Sequence, residues 1–215
     1  MVSKKIVIML LLLVFSLPIF ASCKEEEIDE MDQVVYALSE NGEYYICKGL
    51  WHYGVNYTID SESELVIEAY ICGKPVLEIA NHAFYGLGVT KVIIPDTVKK
   101  IGDYAFYVSK NLKEVVLSEN LESIGDYAFS ICPNLETITL PTSLISIGKM
   151  CFSNNKSLKS LVIPLNVQNI GKFIFANIEN ENFKVYCEHK ERPDTWDEKW
   201  CYGIDENNIV FDFQQ

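Results

Sequence analysis

The chain has 215 residues and is acidic, with 18 lysine and arginine side chains against 30 aspartate and glutamate side chains and a formal net charge of −12. Phosphate backbones and anionic lipid headgroups attract basic surfaces, so this balance argues against nucleic-acid binding and against peripheral attachment to anionic membranes. Hydrophobic residues make up 49% of the chain, which is enough to build a folded core.

Residues 1–22 have the pattern of a secretory signal peptide. Lys4 and Lys5 precede an unbroken apolar run at residues 6–15, and SLPIFAS leads up to Cys23. The apolar run is short for a transmembrane helix, which needs about 20 residues. We therefore predict export with cleavage, and a retained N-terminal anchor is the alternative.

The end of this segment resembles the cleavage site of a bacterial lipoprotein. Ala21 and Ser22 precede Cys23, although Phe20 stands where leucine is usual. Cys23 would then become the acylated N-terminus, and several acyl chains on one residue anchor a protein firmly. An ordinary cleaved signal with a free Cys23 thiol is the alternative.

Residues 23–35 are predicted to form an acidic tether. KEEEIDE at 24–30 is typical of a solvated linker, and it also resembles the acid-rich sequence that sends some lipoproteins to the outer surface of Gram-negative bacteria. Removal of residues 1–22, with two lysines and no acids, leaves 16 basic and 30 acidic side chains, a net charge of −14. We predict a lipid-anchored protein of the outer membrane, displayed on the cell surface; an inner-facing location is the alternative.

A six-residue motif then recurs at an almost constant spacing. The letters IGDYAF occur at 101–106 and again at 124–129. Related hexapeptides begin at Ile79, Ile147 and Ile170, so that successive copies lie 22, 23, 23 and 23 residues apart. A fixed period in the twenties predicts a solenoid with one small unit per coil.

Each hexapeptide is followed by a short run rich in β-branched residues, which predicts one strand per coil. The runs are KVIIP (91–95), EVVLS (114–118), TITLP (137–141), SLVIP (160–164) and a less regular FKVYC (183–187). Each coil would consist of a strand, a turn, a short irregular or helical segment and a second turn. Stacked coils would share one core, because no coil can bury its apolar face alone. Its phenylalanine column would contain Phe84, Phe106, Phe129, Phe152 and Phe175.

The pattern L-x-x-[V/I/L]-x-[I/L]-P followed by V-x-x-I-G-x-x-A-F resembles the BspA-type leucine-rich repeat family. The stretches at 135–152 and 158–175 carry the likeness best, 64–84 resembles the start of that family, and ERPDTWDEKW at 191–200 resembles its exit. The resemblance spans roughly residues 44–202. It implies an α/β-type repeat solenoid of about five coils of 22–23 residues in a bacterial surface protein, without shared catalytic residues.

Terminal coils expose an apolar end and need a cover. We place the N-terminal cap at residues 36–78, the leucine-rich repeats at 79–186 and the C-terminal cap at 187–215. Trp196 and Trp200, four residues apart, are expected to cover the last coil. An aromatic platform for a sugar is the alternative for this pair.

Six cysteines follow Cys23, and none belongs to a C-x-x-C pair. An exported location permits disulfides. Cys187 with Cys201 would staple the C-terminal cap, and Cys47 with Cys72 would staple the N-terminal cap. The alternative for all four is a set of buried thiols.

No motif for catalysis, metal binding or cofactor binding stands out. The three histidines are scattered, without H-E-x-x-H or a comparable ligand spacing, and the phosphate-loop, dinucleotide and G-x-S-x-G motifs do not occur. Cys187 and His189 share a strand face, but no third orienting group accompanies them. We predict a protein that is not an enzyme and has no cofactor; a hydrolase is the remote alternative.

The outward side of the predicted strands is the candidate binding surface. A contiguous apolar strip on a solvent face can mark a partner site, whereas a β-branched ladder can also serve the sheet alone. We predict a monomer that binds a protein or glycan ligand through this face, in the manner of an adhesin; a structural spacer of the cell envelope is the alternative. Alternation exposes the column Ile93, Val116, Thr139, Val162 and Tyr186.

Overall fold

A computed structural model of the chain describes residues 34–50 and 64–214. The predicted signal peptide at 1–22, Cys23 and most of the predicted tether lie outside these ranges. Val34 and Val35, the last two residues assigned to the tether, belong to the first strand. Within the described ranges, no helix is both long enough and apolar enough to cross a bilayer.

The described residues form a solenoid whose coils each contribute one short strand to each of two sides. In chain order the strands are β1 (Val34–Leu38), β2 (Tyr45–Leu50), β3 (Glu64–Val66), β4 (Tyr70–Ile71), β5 (Lys74–Ile79), β6 (Lys91–Ile93), β7 (Lys100–Ile101), β8 (Glu114–Val116), β9 (Ser123–Ile124), β10 (Thr137–Ile138), β11 (Ser146–Ile147), β12 (Ser160–Ile163), β13 (Asn169–Ile170), β14 (Lys184–Cys187) and β15 (Ile209–Val210). A single 3-10 turn, Glu206–Asn208, precedes the last strand in the described residues.

The predicted strands form one side of the solenoid, which we call the strand face. A parallel sheet in the order β10-β8-β6-β3 is followed along the chain by a second parallel sheet, β12-β14-β15. Because β3 pairs with β6 and β15 pairs with β14, both predicted caps contribute a strand to this face. The solenoid therefore extends beyond the predicted repeat region at both ends.

A second, shorter strand in each coil was not predicted. The strands β5, β7, β9, β11 and β13 pair in parallel, and the N-terminal hairpin of β1 and β2 continues the sheet. The leading residues of the hexapeptides align across it, from Ile79 to Ile101, Ile124, Ile147 and Ile170. Four of these strands, β7, β9, β11 and β13, have only two residues each, which is too short for an alternating pattern to predict them.

The shared core is confirmed. The inward-pointing strand residues are buried, with Val92 at 0% exposure and Ile94 at 2%. The five hexapeptide phenylalanines are buried and stack in one column, with successive ring centroids 5.2, 5.1, 6.0 and 6.2 Å apart. Offset stacking at these separations adds to the burial of the rings, so that each coil stabilises its neighbours.

The glycine of the hexapeptide is required by close packing between coils. A Cβ built at Gly125 would lie 2.5 Å from Asp103 Oδ1 and 2.6 Å from Asp103 N, closer than real Cβ contacts. None of the equivalent glycines has a positive φ, so backbone freedom is not the reason. Ala80 fits in the first copy, where its neighbour is β2 and its amide donates to the Cys47 carbonyl.

The side chains of Asn81, Asp103 and Asp126, at the third hexapeptide position, connect the first four corners. Asn81 Oδ1 accepts a hydrogen bond from the Asp103 amide at 2.9 Å, and Asp103 Oδ1 accepts from the Asp126 amide at 2.8 Å. Asp126 Oδ1 accepts in turn from the Lys149 amide at 2.8 Å. These oxygens add to the crowding at the next glycine, where backbone atoms of the preceding coil already leave no room for a Cβ, as they do at Gly171 beside Lys149.

The tryptophans of the C-terminal cap cover the last coil, as predicted. Trp196 and Trp200 are 1% and 2% exposed, and their rings lie 4.9 Å apart. Trp196 Nε1 donates to the Val167 carbonyl at 3.1 Å, and the Trp200 ring contacts the ring of Phe175. Buried rings offer no platform, so the sugar-binding alternative for this pair is wrong.

We predict that Gly125→Ala lowers the free energy of unfolding by about 3 kcal/mol, because the added methyl overpacks a backbone that cannot recede. Gly86→Ala is the control: Gly86 has φ +71° and nothing within 4 Å of its Cβ position, so only backbone strain of about 1 kcal/mol is added. Urea unfolding followed by circular dichroism measures both. Equal losses for the two variants would contradict the packing argument.

Candidate interaction surfaces

The predicted column lies on the solvent side of the strand face. Ile93 pairs in register with Val116, and Val162 pairs in register with Tyr186. Val116 is 40% exposed, Thr139 is also exposed, and Ile93 and Val162 are half-buried. The register thus aligns Ile93 with Val116 and Val162 with Tyr186, and the outward orientation of these side chains agrees with the strand alternation.

Two further residues extend this column, and sequence analysis missed them. Val66 pairs with Ile93 at one end, and Val210 pairs with Tyr186 at the other. Both lie in segments that were assigned to the caps, and the parallel register is the signal that adds them. The ring of Tyr186 lies 4.6 Å from the ring of Phe213, so the C-terminal tail covers this end of the column.

Charged side chains beside the column pair with each other across coils. Lys91 Nζ lies 3.0 Å from Glu114 Oε1, and Lys159 Nζ lies 2.9 Å from Glu136 Oε2. The hydrogen bond from Lys159 and its positive charge lower the pKa of Glu136. Exposed pairs of this kind contribute little to stability. Their effect here is that the charges along the N-terminal side of the column are already compensated.

A second surface, with His82 and Tyr85 exposed and three tyrosines half-buried, lies at the turn of the hexapeptides and was not predicted. We call it the aromatic corner, and it consists of His82, Tyr85, Tyr104, Tyr107 and Tyr127. The rings of His82 and Tyr104 stack at 4.9 Å, and those of Tyr104 and Tyr127 stack at 4.7 Å. Tyr107 stands edge-on to Tyr104 and contacts Tyr85 at 5.4 Å, while Lys149 Nζ lies 5.8 Å above the Tyr127 ring.

The stacked rings of the aromatic corner project from a left-handed backbone. His82, Tyr104 and Tyr127 have φ values of +58°, +56° and +56°. This region is uncommon for residues other than glycine, asparagine and aspartate. The signal that would have found the surface is an aromatic residue at the fourth hexapeptide position in consecutive copies, namely His82, Tyr104 and Tyr127.

Both predicted disulfides are absent from the structure. Cys47, Cys187 and Cys201 carry free thiols, which excludes the pairs Cys47–Cys72 and Cys187–Cys201. Cys47 and Cys187 are fully buried within the core, where they act as small apolar residues. Burial raises the pKa of each of these two thiols to about 12.

The pair of Cys187 and His189 is poorly suited to nucleophilic chemistry. The reactive form of cysteine is the thiolate, and burial disfavours it at Cys187. Burial also lowers the pKa of His189, whose ring packs edge-on against Trp196. Among the described residues, no group of three or more His, Cys, Asp or Glu side chains is arranged to hold a metal ion.

The stacked coils, the parallel strands and the periodic core define a leucine-rich repeat solenoid. Residues 77–193 match the BspA type leucine rich repeat region in 6 copies. This match covers more than half of the chain, which therefore belongs to the BspA-type leucine-rich repeat family. The family resemblance seen in the sequence is thus confirmed.

Solved structures of bacterial leucine-rich repeat proteins share the fold. The leucine rich repeat protein of T. pallidum is 29% identical with a TM-score of 0.64, over 75% of this chain and 71% of that chain. A leucine-rich repeat protein from Bacteroides ovatus is 27% identical with a TM-score of 0.63, over 81% of this chain and 43% of that chain. A leucine rich cell surface protein from Faecalibacterium prausnitzii is 22% identical with a TM-score of 0.58, over 86% of this chain and 44% of that chain. No curated protein is matched.

We predict that iodoacetamide at pH 8 modifies Cys201 first among the described free thiols. Burial raises the pKa of all five thiols, but Cys201 is partly exposed, whereas Cys151 is buried and Cys47, Cys132 and Cys187 are buried with pKa values of about 12. Since the thiolate is the reactive form, the buried four stay unmodified until the protein unfolds. Peptide mass mapping with and without guanidinium chloride measures this. A Cys187–Cys201 disulfide peptide in unreduced digests would contradict the prediction.

Proposed function

We propose that this chain is an exported, lipid-anchored protein of the bacterial outer membrane that binds a protein partner at the cell surface through its strand face. The observation that carries the binding proposal is the apolar row of Val66, Ile93 and Val116, which pair in register on the solvent side of the strand face beside the Lys91–Glu114 ion pair. Membership of the BspA-type family supports an adhesin-like interaction protein rather than an enzyme. The location rests on the signal-peptide pattern at 1–22, on Cys23 and on the acidic segment at 24–30.

The strand face suits a protein partner for a physical reason. Its backbone is held in register by parallel pairing, and its valine and isoleucine side chains have few χ1 rotamers to lose when a partner covers them. Burying one half-exposed valine or isoleucine contributes about 1 kcal/mol at roughly 25 cal/mol per Å². A few such residues together supply affinity, while the charged flanks set orientation.

A structural spacer is the second candidate, and the Tyr186–Phe213 contact favours it. Self-coverage at that end shows that part of the column serves the fold. A spacer needs the stacked core but has no use for an exposed strip. Substitutions that change only the strip therefore separate the two functions.

We predict that Val116→Lys and Val162→Lys each weaken partner binding about 100-fold, because an ammonium group would be buried against apolar surface in the complex. Ile145→Lys is the matched control, since Ile145 is also 40% exposed but precedes β11 on the opposite side. The chain from residue 24 onward is titrated by biolayer interferometry against immobilised host matrix proteins and bacterial envelope proteins, with thermal unfolding as the fold check.

Normal binding by both strand-face variants, with thermal unfolding unchanged, would favour the spacer. Equal losses in all three variants would point to a general effect of the added charge. Only loss confined to Val116→Lys and Val162→Lys supports recognition by the strand face.

We predict that cells expressing the full chain incorporate radiolabelled palmitate into it, and that Cys23→Ala abolishes the label, because Cys23 is the acylated residue. Deleting 24–30 is expected to keep the label while reducing digestion by proteinase K added to intact cells, since the acidic segment directs surface display. Label that persists in Cys23→Ala would refute the anchor, and digestion unaffected by the deletion would refute the sorting role.

A further inference from the structure

We propose that the aromatic corner is a second binding surface, which takes an extended neutral glycan. The surface is distinct from the strand face, so the proposal stands independently of the proposed protein partner. It rests on which residues the fold requires at this corner, on the contacts of the rings and on the charges around them.

The first argument is that the fold does not require Tyr85 and Tyr107. The equivalent residues of later coils are Ser130 and Ser153, and the same backbone hydrogen bond recurs from coil to coil. The Gly86 amide donates to the Tyr107 carbonyl, the Val108 amide to the Ser130 carbonyl and the Ile131 amide to the Ser153 carbonyl. Ser130 and Ser153 are buried, and their hydroxyls share a 2.8 Å hydrogen bond. A small residue therefore satisfies this position, yet the first two coils carry tyrosines, and Tyr85 is 57% exposed.

The second argument comes from the left-handed backbone. Each coil has two left-handed positions. One is occupied by Gly86, Val108, Ile131, Asn154 and Asn177, so glycine or asparagine relieves the strain there in three of the five coils. The other position is never glycine or asparagine, and four of its five residues are aromatic. The five are His82, Tyr104, Tyr127, Met150 and Phe173.

The energies at this position nearly cancel. A left-handed conformation costs roughly 1–2 kcal/mol per L-residue. Ring stacking returns about 0.5–1.5 kcal/mol per pair. The free energy of folding therefore gives little reason to keep aromatic residues where glycine would be unstrained. Contact of the rings with a ligand is such a reason.

The chemistry of the corner favours sugars. The stacked rings of His82, Tyr104 and Tyr127 cover each other's faces, so they present edges and hydroxyl groups at a spacing close to 4.8 Å. The exposed ring of Tyr85 offers an open face against which the C–H face of a sugar can pack. The Asp103 carboxylate beside these rings can accept hydrogen bonds from sugar hydroxyls.

Charge and shape narrow the ligand class further. Asp126 is paired with Lys149 at 3.2 Å, so the corner has no strong excess of one charge, and a neutral ligand fits better than a charged peptide. The rings follow the solenoid axis over several coils, so the ligand should be long and straight. Extended β-linked glycans meet this requirement, whereas coiled α-linked glucans do not.

The test uses isothermal titration of the chain from residue 24 onward with cellohexaose, chitohexaose and mannohexaose, and with maltohexaose as the coiled α-linked comparison. We expect at least one β-linked hexasaccharide to bind and maltohexaose to bind about tenfold more weakly. Tyr85→Ser and Tyr107→Ser copy the serines of later coils, and each is expected to lower the affinity about tenfold, the equivalent of one lost aromatic contact.

Tyr70→Ser is the matched control, since Tyr70 is 61% exposed and lies in β4, away from the corner. Val116→Lys should leave glycan affinity unchanged, which separates this test from that of the strand face. The proposal is overturned if no hexasaccharide binds the unmodified chain, if Tyr85→Ser and Tyr107→Ser bind normally, or if Tyr70→Ser loses as much. Loss of a protein partner by the two corner variants, without glycan binding, would also overturn it.

Discussion

The close approach between successive hexapeptide corners governs this solenoid. Backbone hydrogen bonds join each corner to the next, and the neighbouring coil leaves no room for a Cβ at the glycine position. The carboxamide or carboxylate of Asn81, Asp103 and Asp126 fills that space and caps the next amide. One spacing along the axis is thereby fixed for the core, for both sheets and for every surface column.

Because the coils stack at a fixed spacing, a residue type that repeats in the sequence forms a column on the surface. Residues one period apart become neighbours at the distance of paired strands, so side chains of one kind gather in columns. On the strand face this brings Lys91 to Glu114 and aligns Ile93 with Val116. At the corner it stacks Tyr104 on Tyr127. Ion pairs, apolar strips and ring stacks on this molecule are consequences of the same stacking.

The sequence predicted those features that the repeat itself encodes. The buried strand residues, the phenylalanine column and the tryptophan cap follow from period and alternation, because coil burial demands them. The second strands escaped prediction because strands as short as Lys100–Ile101 leave no alternating pattern. The disulfide predictions were wrong because cysteine spacing does not reveal that Cys47 and Cys187 lie in the core as free thiols. The aromatic corner was not predicted: aromatic residues recur at the fourth hexapeptide position, but nothing in the sequence indicates that the backbone there is left-handed and that the rings stack.

Function on such a fold is best sought where equivalent positions differ. A residue that recurs in every coil, such as the hexapeptide phenylalanine, is explained by burial and carries no information about a ligand. Tyr85 and Tyr107 replace the buried small residues found at Ser130 and Ser153, and the core gives no reason for the change. Departures from the repeat that increase exposed aromatic or apolar area therefore cost stability or leave it unchanged, and recognition of a partner is the physical gain that would maintain them.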